Sequence, residues 1–208
     1  MLLDDLPKEA FRRQDELPDE LFYSVPRFVT HIDDGAIAAV TQLYREYFPP
    51  HSAILDLMSS WVSHLPDDVP YQRVVGLGMN REELAANPRL DEFVVQNLNV
   101  NHVLPFKDSE FDGAAICVSI DYLTNPVAVL REVGRVLKPD APLVITFSNR
   151  CFPTKAILIW LYTDDLQHQH LVKHFLERAG NWYQIQMLDR SPKFGDPLYA
   201  VVARRLPS

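Results

Sequence analysis

Between residues 33 and 47 the apolar positions fall at Ile37, Val40, Leu43, Tyr44 and Tyr47, the spacing of one helical face. Asp34 can cap the start and Pro49-Pro50 ends the element, so Asp33–Tyr47 is predicted as an amphipathic helix. From Ser52 the pattern changes to short β-rich runs that alternate with helical segments. The predicted strands are Ala53–Leu57, Arg73–Leu77, Phe93–Gln96, Gly113–Ser119, Leu143–Phe147, Ile185–Leu188 and Leu198–Ala203. Between them, Asn80 with Glu83 three residues on has capping-box spacing. Thr124-Asn125-Pro126 opens the clearest helix, whose face carries Val127, Leu130, Val133 and Leu137 before Lys138-Pro139 stops it. Ala156–Leu161 and Leu166–Ala179 read as further helices, the second ended by Gly180.

Strands separated by helices imply parallel pairing with right-handed crossovers. The last two runs, joined by the Pro/Gly/Asp-rich stretch Asp189–Asp196, read as an antiparallel hairpin. The expected fold is therefore α/β: an open three-layer sandwich on a mostly parallel seven-stranded sheet with an antiparallel edge hairpin. Residues 1–50 read as an acidic, proline-punctuated helical preamble that packs on the domain, and residues 51–208 as one globular unit.

Composition narrows the function classes. The 208 residues are 47% apolar and 23% charged, the balance of a folded chain. An excess of 28 Asp+Glu over 20 Lys+Arg argues against a general phosphate-backbone binder, so no nucleic-acid partner is expected. Two cysteines make no disulfide framework and read as reduced thiols. Met1-Leu2-Leu3 runs straight into Asp4-Asp5 without a basic or apolar leader, and the runs Ala114–Val118 and Ala156–Tyr162 are too short for a bilayer. A cytoplasmic protein with no membrane contact is expected. Only seven glycines are present, no phosphate-loop motif occurs, and Gly76-Leu77-Gly78 is followed by Arg81 where a dinucleotide fingerprint needs glycine.

In open parallel sheets ligands bind beyond the carboxyl ends of the strands, which directs attention to the strand exits. Their order carries a resemblance. Ile54-Leu55-Asp56-Leu57 and its loop, Val74-Val75-Gly76-Leu77-Gly78-Met79-Asn80, Leu104-Pro105-Phe106 through Phe111-Asp112, and Arg135-Val136-Leu137-Lys138-Pro139 follow one another in the chain. As an ordered series over about residues 52–204 they resemble the class I S-adenosylmethionine-dependent methyltransferases, in a glycine-poor branch. The resemblance implies a Rossmann-like methyltransferase fold and S-adenosylmethionine as cofactor, with no metal. It implies cofactor contacts from Asp56, Met58, Ser59, Ser60, Gly78, Met79, Asn80, Asn97, Leu98 and Ser119.

The chain departs from the family at three places. The loop glycines read Met58, Ser60 and Val62; the ribose acid reads Gly78; the acid near the adenine reads Asn97. A missing carboxylate on the ribose diol costs about 1.5–3 kcal/mol, roughly ten- to a hundredfold in affinity. Asn80 either bonds a ribose hydroxyl instead or only caps the following helix.

For the acceptor, the resemblance points to Asp121 and Tyr122, although Asp121 and Thr124 equally suit shaping the next helix. Arg150, in Ser148-Asn149-Arg150, is read either as holding a polar or anionic substrate group or as part of a loop that bonds its own carbonyls. The family's architecture, through the same resemblance, implies that Tyr23 and Arg27 fold over the ligand as a lid. In the run His168, His170 and His174, the last two have metal-capable spacing on one helix face, but the histidines read as solvent-facing residues. Cys117, in a predicted buried strand, reads as inert, and Cys151 has no sequence-level partner. Two readings follow. One is a methyltransferase for a small-molecule acceptor. The other is a non-catalytic module of the same fold, its cleft plugged by Met58 or Trp61, that acts through a protein partner.

Overall fold

The computed structural model describes residues 6–207; Met1–Asp5, read above for the lack of a leader, lies outside them. The elements in order are a 3-10 turn Lys8–Phe11, α1 (Asp19–Phe22), α2 (Asp34–Tyr47), β1 (Ala53–Leu57), β2 (Arg73–Gly78), α3 (Arg81–Ala86) and β3 (Glu92–Val95). There follow β4 (Gly113–Cys117), a 3-10 turn Ile120–Tyr122, α4 (Pro126–Val136), β5 (Pro142–Phe147), α5 (Leu158–Leu161), α6 (Asp165–Ala179), β6 (Trp182–Asp189) and β7 (Tyr199–Arg205). One seven-stranded sheet runs β3-β2-β1-β4-β5-β7-β6. The first five strands pair in parallel, whereas β7 is antiparallel to both β5 and β6. This is the expected architecture, with the edge hairpin at the carboxyl end of the chain.

Alternation along the strands sorts the core into two layers. Ile54, Val74, Ala115, Val144 and Val202 pack under Val40, Leu43, Tyr44 and Phe48 of and beside α2. Leu55, Leu57, Val75, Ile116 and Ile145 pack on the opposite side with Val129, Leu130 and Val133 of α4 and Leu171, Phe175 and Leu176 of α6. β1 and β5 are buried along their whole length, which explains why they read as continuous apolar runs.

Element boundaries shift where polar residues interrupt the pattern. β4 stops at Cys117 because Val118 takes a left-handed φ of 42°. β6 starts three residues earlier than predicted, and an irregularity between Tyr183 and Gln186 breaks the period-2 pattern that sequence reading relies on. The helix expected at Ala156–Leu161 is a single turn, Leu158–Leu161. Gly180 does end α6, in the left-handed conformation a Cβ would penalise.

A segment of irregular chain, residues 7–32, lies across the carboxyl ends of the strands as a strap. Its local sequence has little apolar periodicity, and charge holds it down. Lys155, fully buried, sits 3.1 Å from Asp15 and 3.2 Å from Asp19, and its ammonium donates to the Leu17 carbonyl at 2.8 Å. Arg13 pairs with the same Asp19 at 2.7 Å. Backbone bonds from Leu158 to Arg12 and from Asp15 to Thr154 complete the seam.

Removing one partner of a buried charge cluster leaves the others uncompensated. Lys155→Met is expected to cost about 3 kcal/mol, hence a fall in Tm of roughly 6–12 °C for a chain of this size. Limited proteolysis should then cut first within residues 13–25. A loss below about 1 kcal/mol with unchanged cleavage would show that the strap is held by something else.

Candidate functional site

The order of strands reverses between β1 and β4, and the exits of β1, β2, β3 and β4 surround a cleft of about 470 Å³ at that point. The β1 exit forms its floor. Met58 takes a left-handed φ of 57°, a conformation that costs a side chain about 1–2 kcal/mol. That turn lets Ser59 N–H donate to the Leu77 carbonyl at 2.8 Å. Asp56 is buried, and its Oδ2 accepts from the hydroxyls of Ser59 at 2.5 Å and Ser63 at 2.6 Å. Asn87 ties the far side of the loop by donating to the Ser60 carbonyl and to Ser63 Oγ, both at 2.9 Å. Burial pushes the Asp56 carboxyl up to about 6, against the two hydroxyl hydrogen bonds that lower it.

At the β2 exit the Ser59 carbonyl lies where a side chain at position 78 would be, so a Cβ there would collide with it. Met79 lines the cleft, and Asn80 caps α3, its Oδ1 accepting from Glu82 N at 2.9 Å and Glu83 N at 3.1 Å. The other end of the same amide donates to the Tyr23 carbonyl at 2.9 Å. At the β3 exit Asn97 donates to Glu20 at 2.8 Å and accepts from Asn99 N at 2.9 Å, beside a buried Leu98. At the β4 exit Ser119 is 8% exposed, and its Oγ has no hydrogen-bond partner among the described residues. All ten residues expected at the cofactor end border the cleft.

The far end is built from the strap and the β5 exit. Tyr23, Arg27 and His31 face Tyr122, Cys151 and Phe152 across it. Phe152 packs edge-on against Phe22 and His31, and its backbone N–H donates to the Tyr122 hydroxyl at 2.9 Å. Asp121 departs from expectation: it is 3% exposed and is not part of the cleft wall. Its Oδ2 has no partner among the described residues, and burial pushes the carboxyl up to about 8. Arg150 borders the cleft, yet its guanidinium pairs with Asp196 at 2.8 Å, and Ser148 donates to the Pro197 carbonyl at 2.6 Å. Thr124 is bound through both N–H and hydroxyl to Asn99 Oδ1.

Other expectations are corrected. Trp61 does not enter the cleft; its indole N–H donates to the Val29 carbonyl at 3.1 Å, and its ring meets Phe28. Of the three histidines only His170 is exposed: His168 is buried, stacked on Trp160 at 3.8 Å, and bonded to the Trp160 carbonyl. Desolvation pushes the Cys117 and Cys151 thiols up to about 11, so neither is a ready nucleophile. Among the described residues no group of three or more His, Cys, Asp or Glu is placed to hold a metal ion. Sequence reading missed His31, Asn99 and Phe152, which carry no motif and converge only in space.

Residues 59–145 match the family described as "Methyltransferase domain". No curated protein matches the sequence. Among solved structures, the [4+2]-cyclase SpnF aligns at TM-score 0.65 and 16% identity over 91% of this chain and 92% of its own. A complex containing the Haloferax volcanii Trm112 methyltransferase activator gives TM-score 0.65 and 14% identity over 84% and 91%. The Haemonchus contortus phosphoethanolamine N-methyltransferase 2, solved with S-adenosyl-L-methionine, gives 0.59 and 13% over 81% and 52%. The chain carries the class I methyltransferase fold. Within that fold it places a glycine against a carbonyl where the family resemblance implies a ribose carboxylate. Among the described residues no helix of this methyltransferase fold is long and apolar enough to cross a membrane.

Two predictions follow from this geometry. Gly78→Asp, which restores the carboxylate, is expected to destabilise the fold by about 2 kcal/mol or more and to gain no ligand affinity, because the Ser59 carbonyl must move. A stable variant with tighter cofactor binding, read by melting and calorimetry, would refute it. For Asp121, the folded-state pKa of about 8 exceeds the unfolded value of about 3.9. Its protonated form therefore contributes stability that is complete below about pH 4 and lost as pH rises through about 8. Relative to the parent, Asp121→Asn should gain Tm between pH 4 and 9, at roughly 2–4 °C per kcal/mol. Asp56 titrates equally in both proteins and cancels; parallel Tm curves would rule out the assignment.

Proposed function

We propose that this protein binds S-adenosylmethionine in the cleft and methylates a small-molecule acceptor. What carries the reading is the unpartnered, buried Ser119 Oγ on the wall of a cleft of about 470 Å³ at the switch point of the sheet. A buried hydroxyl without a partner costs free energy unless a ligand completes it. The residues present fit the cofactor in this respect, and the cleft is of a size that holds a small ligand.

On this reading Asp56, Met58, Ser59 and Ser60 face the methionine end, Gly78, Met79 and Asn80 the ribose, and Asn97 and Leu98 the adenine edge. When bound, the cofactor supplies a methyl group on a sulfonium, which needs alignment with the acceptor more than acid–base help. The chain supplies that alignment: Tyr122 and Arg150 border the acceptor end, and the strap with Tyr23 excludes water. Asp121 acts at one remove, as a buried neutral acid behind the site. Free Cys117 and Cys151 suit a reducing compartment, so a cytoplasmic location belongs to the proposal.

A second reading is favoured by one observation. Groups that would meet the cofactor are already bonded within the chain: Asn97 to Glu20 and Asn80 to the Tyr23 carbonyl. A non-catalytic module with a self-satisfied cleft, working through a protein partner, would look the same at these two positions.

Calorimetric titration with S-adenosylhomocysteine separates the two. Micromolar binding, weakened at least tenfold in Asp56→Ala and strengthened about threefold in Glu20→Ala, is the expected result, with melting curves as the control for folding. No heat at millimolar ligand in any of the three proteins would leave the module reading standing.

A further inference from the structure

We infer that Arg27 makes the acceptor end of the cleft a site for an anionic small molecule, a carboxylate or phosphate monoester on a flat apolar body. This inference rests on the cofactor reading above, since it assigns the acceptor that would share the cleft. It starts from an inventory of the charges on the cleft wall. Asp19 is taken by Arg13 and Lys155, and Arg150 by Asp196. Asp56 accepts two serine hydroxyls, while Glu83 accepts the backbone N–H of Arg27 at 2.7 Å. His31 and His64 are held below their ordinary range by burial and stay neutral near pH 7.

Arg27 is different. No carboxylate lies within ion-pair distance of its guanidinium among the described residues, although the side chain is half-buried on the cleft wall. Two of its N–H groups are used locally, one to the Phe22 carbonyl at 2.9 Å and one to the Val25 carbonyl at 3.5 Å. The guanidinium carbon lies over aromatic rings, 4.5 Å from the centre of Phe22 and 5.5 Å from that of Phe152. A guanidinium cannot shed its proton to relieve burial, so the remaining donors call for an acceptor from outside the chain. Their planar geometry suits two oxygens of one carboxylate or phosphate.

A second donor stands beside it. The Tyr23 hydroxyl has no hydrogen bond among the described residues, and burial, with the nearby Asp19 charge, keeps it protonated. Tyr122 and Phe152, tilted at 31° with centres 5.8 Å apart, provide flat walls for an apolar body. Phe152 lies past the β5 exit and Tyr122 past the β4 exit, and Tyr23 and Arg27 reach them from the strap, which Asn80 and Glu83 tie to the β2 exit.

The test uses the full chain saturated with S-adenosylhomocysteine and four probes: phenylacetate, phenyl phosphate, neutral phenylacetamide and cationic phenethylamine. The two anions are expected to bind with Kd below about 1 mM and to lose at least tenfold in Arg27→Gln, with Arg27→Lys between. The amide and the amine should bind weakly and without dependence on Arg27. Equal affinity for the amide or amine, or anion binding that survives Arg27→Gln, overturns the inference. So does an Arg27→Gln that weakens S-adenosylhomocysteine tenfold yet leaves 5′-methylthioadenosine unchanged, since Arg27 would then hold the cofactor's own carboxylate. If S-adenosylhomocysteine does not bind, the cofactor reading fails. The same titration without it then decides the anion site alone, by the dependence on Arg27.

Discussion

The carbonyl of Ser59 lying against the Cα of Gly78 governs the end of the cleft between β1 and β2. A loop without glycine has to turn sharply out of β1, and Met58 accepts a left-handed conformation to do so. The turn directs Ser59 N–H to the Leu77 carbonyl and sets the Ser59 carbonyl over position 78. Only glycine fits beneath it. The two departures from the family pattern, missing loop glycines and a missing ribose acid, are thus one structural choice. The same turn brings Ser59 and Ser63 onto Asp56, which therefore meets any ligand as a carboxyl already bonded to two hydroxyls.

The strap extends this self-satisfaction to the rest of the cleft. It is held by Lys155, Arg13, Asp15 and Asp19, and from that seam α1 projects Glu20 onto Asn97 and the Tyr23 carbonyl onto Asn80. A ligand that reaches Asn80 or Asn97 competes with bonds worth about 0.5–1.5 kcal/mol each. These do not close the site, because Trp61 stays outside it and Ser119 Oγ is left without a partner. Affinity is then a difference between ligand contacts and strap contacts. Sequence changes at Glu20, far from any motif, act on it as directly as changes at Asn97.

How much of this was legible in the sequence depends on the kind of force involved. The seven strands, α2, α4 and α6 were legible because buried apolar residues recur at periods of 2 or 3.6. Asn80 was legible as a cap, and the structure uses its Oδ1 for that and its Nδ2 for the strap. The strap was read only as a helical preamble with Tyr23 and Arg27 over the ligand; the bounds of α1 and the seam were not legible, since they depend on ion pairs between residues about 140 apart, such as Lys155 with Asp15. His168 failed for a related reason: its polar identity suggested solvent, but Trp160 offers it a stacking face and a carbonyl. Asp121 failed because the short 3-10 turn Ile120–Tyr122 turns its side chain away from the wall that Tyr122 occupies.

The electrostatics of the cleft are not those of the chain as a whole. The formal charge of -8 describes a surface dominated by carboxylates, and sequence reading took it as evidence about ligands. That field is screened over about 8 Å at physiological ionic strength, so it says little about a recess lined by protein. Burial raises Asp121, behind the recess, to about 8 and so keeps it protonated near pH 7, whereas Asp56, raised only to about 6, stays mostly ionised there. Asp19 is neutralised by two cations. Neither guanidinium on the cleft wall can respond to burial by changing its protonation, and of the two Arg150 is paired with Asp196 while Arg27 has no carboxylate partner among the described residues. Under the anion-site inference, an acidic protein selects an anion through one guanidinium without a carboxylate partner among the described residues, rather than by accumulating basic residues.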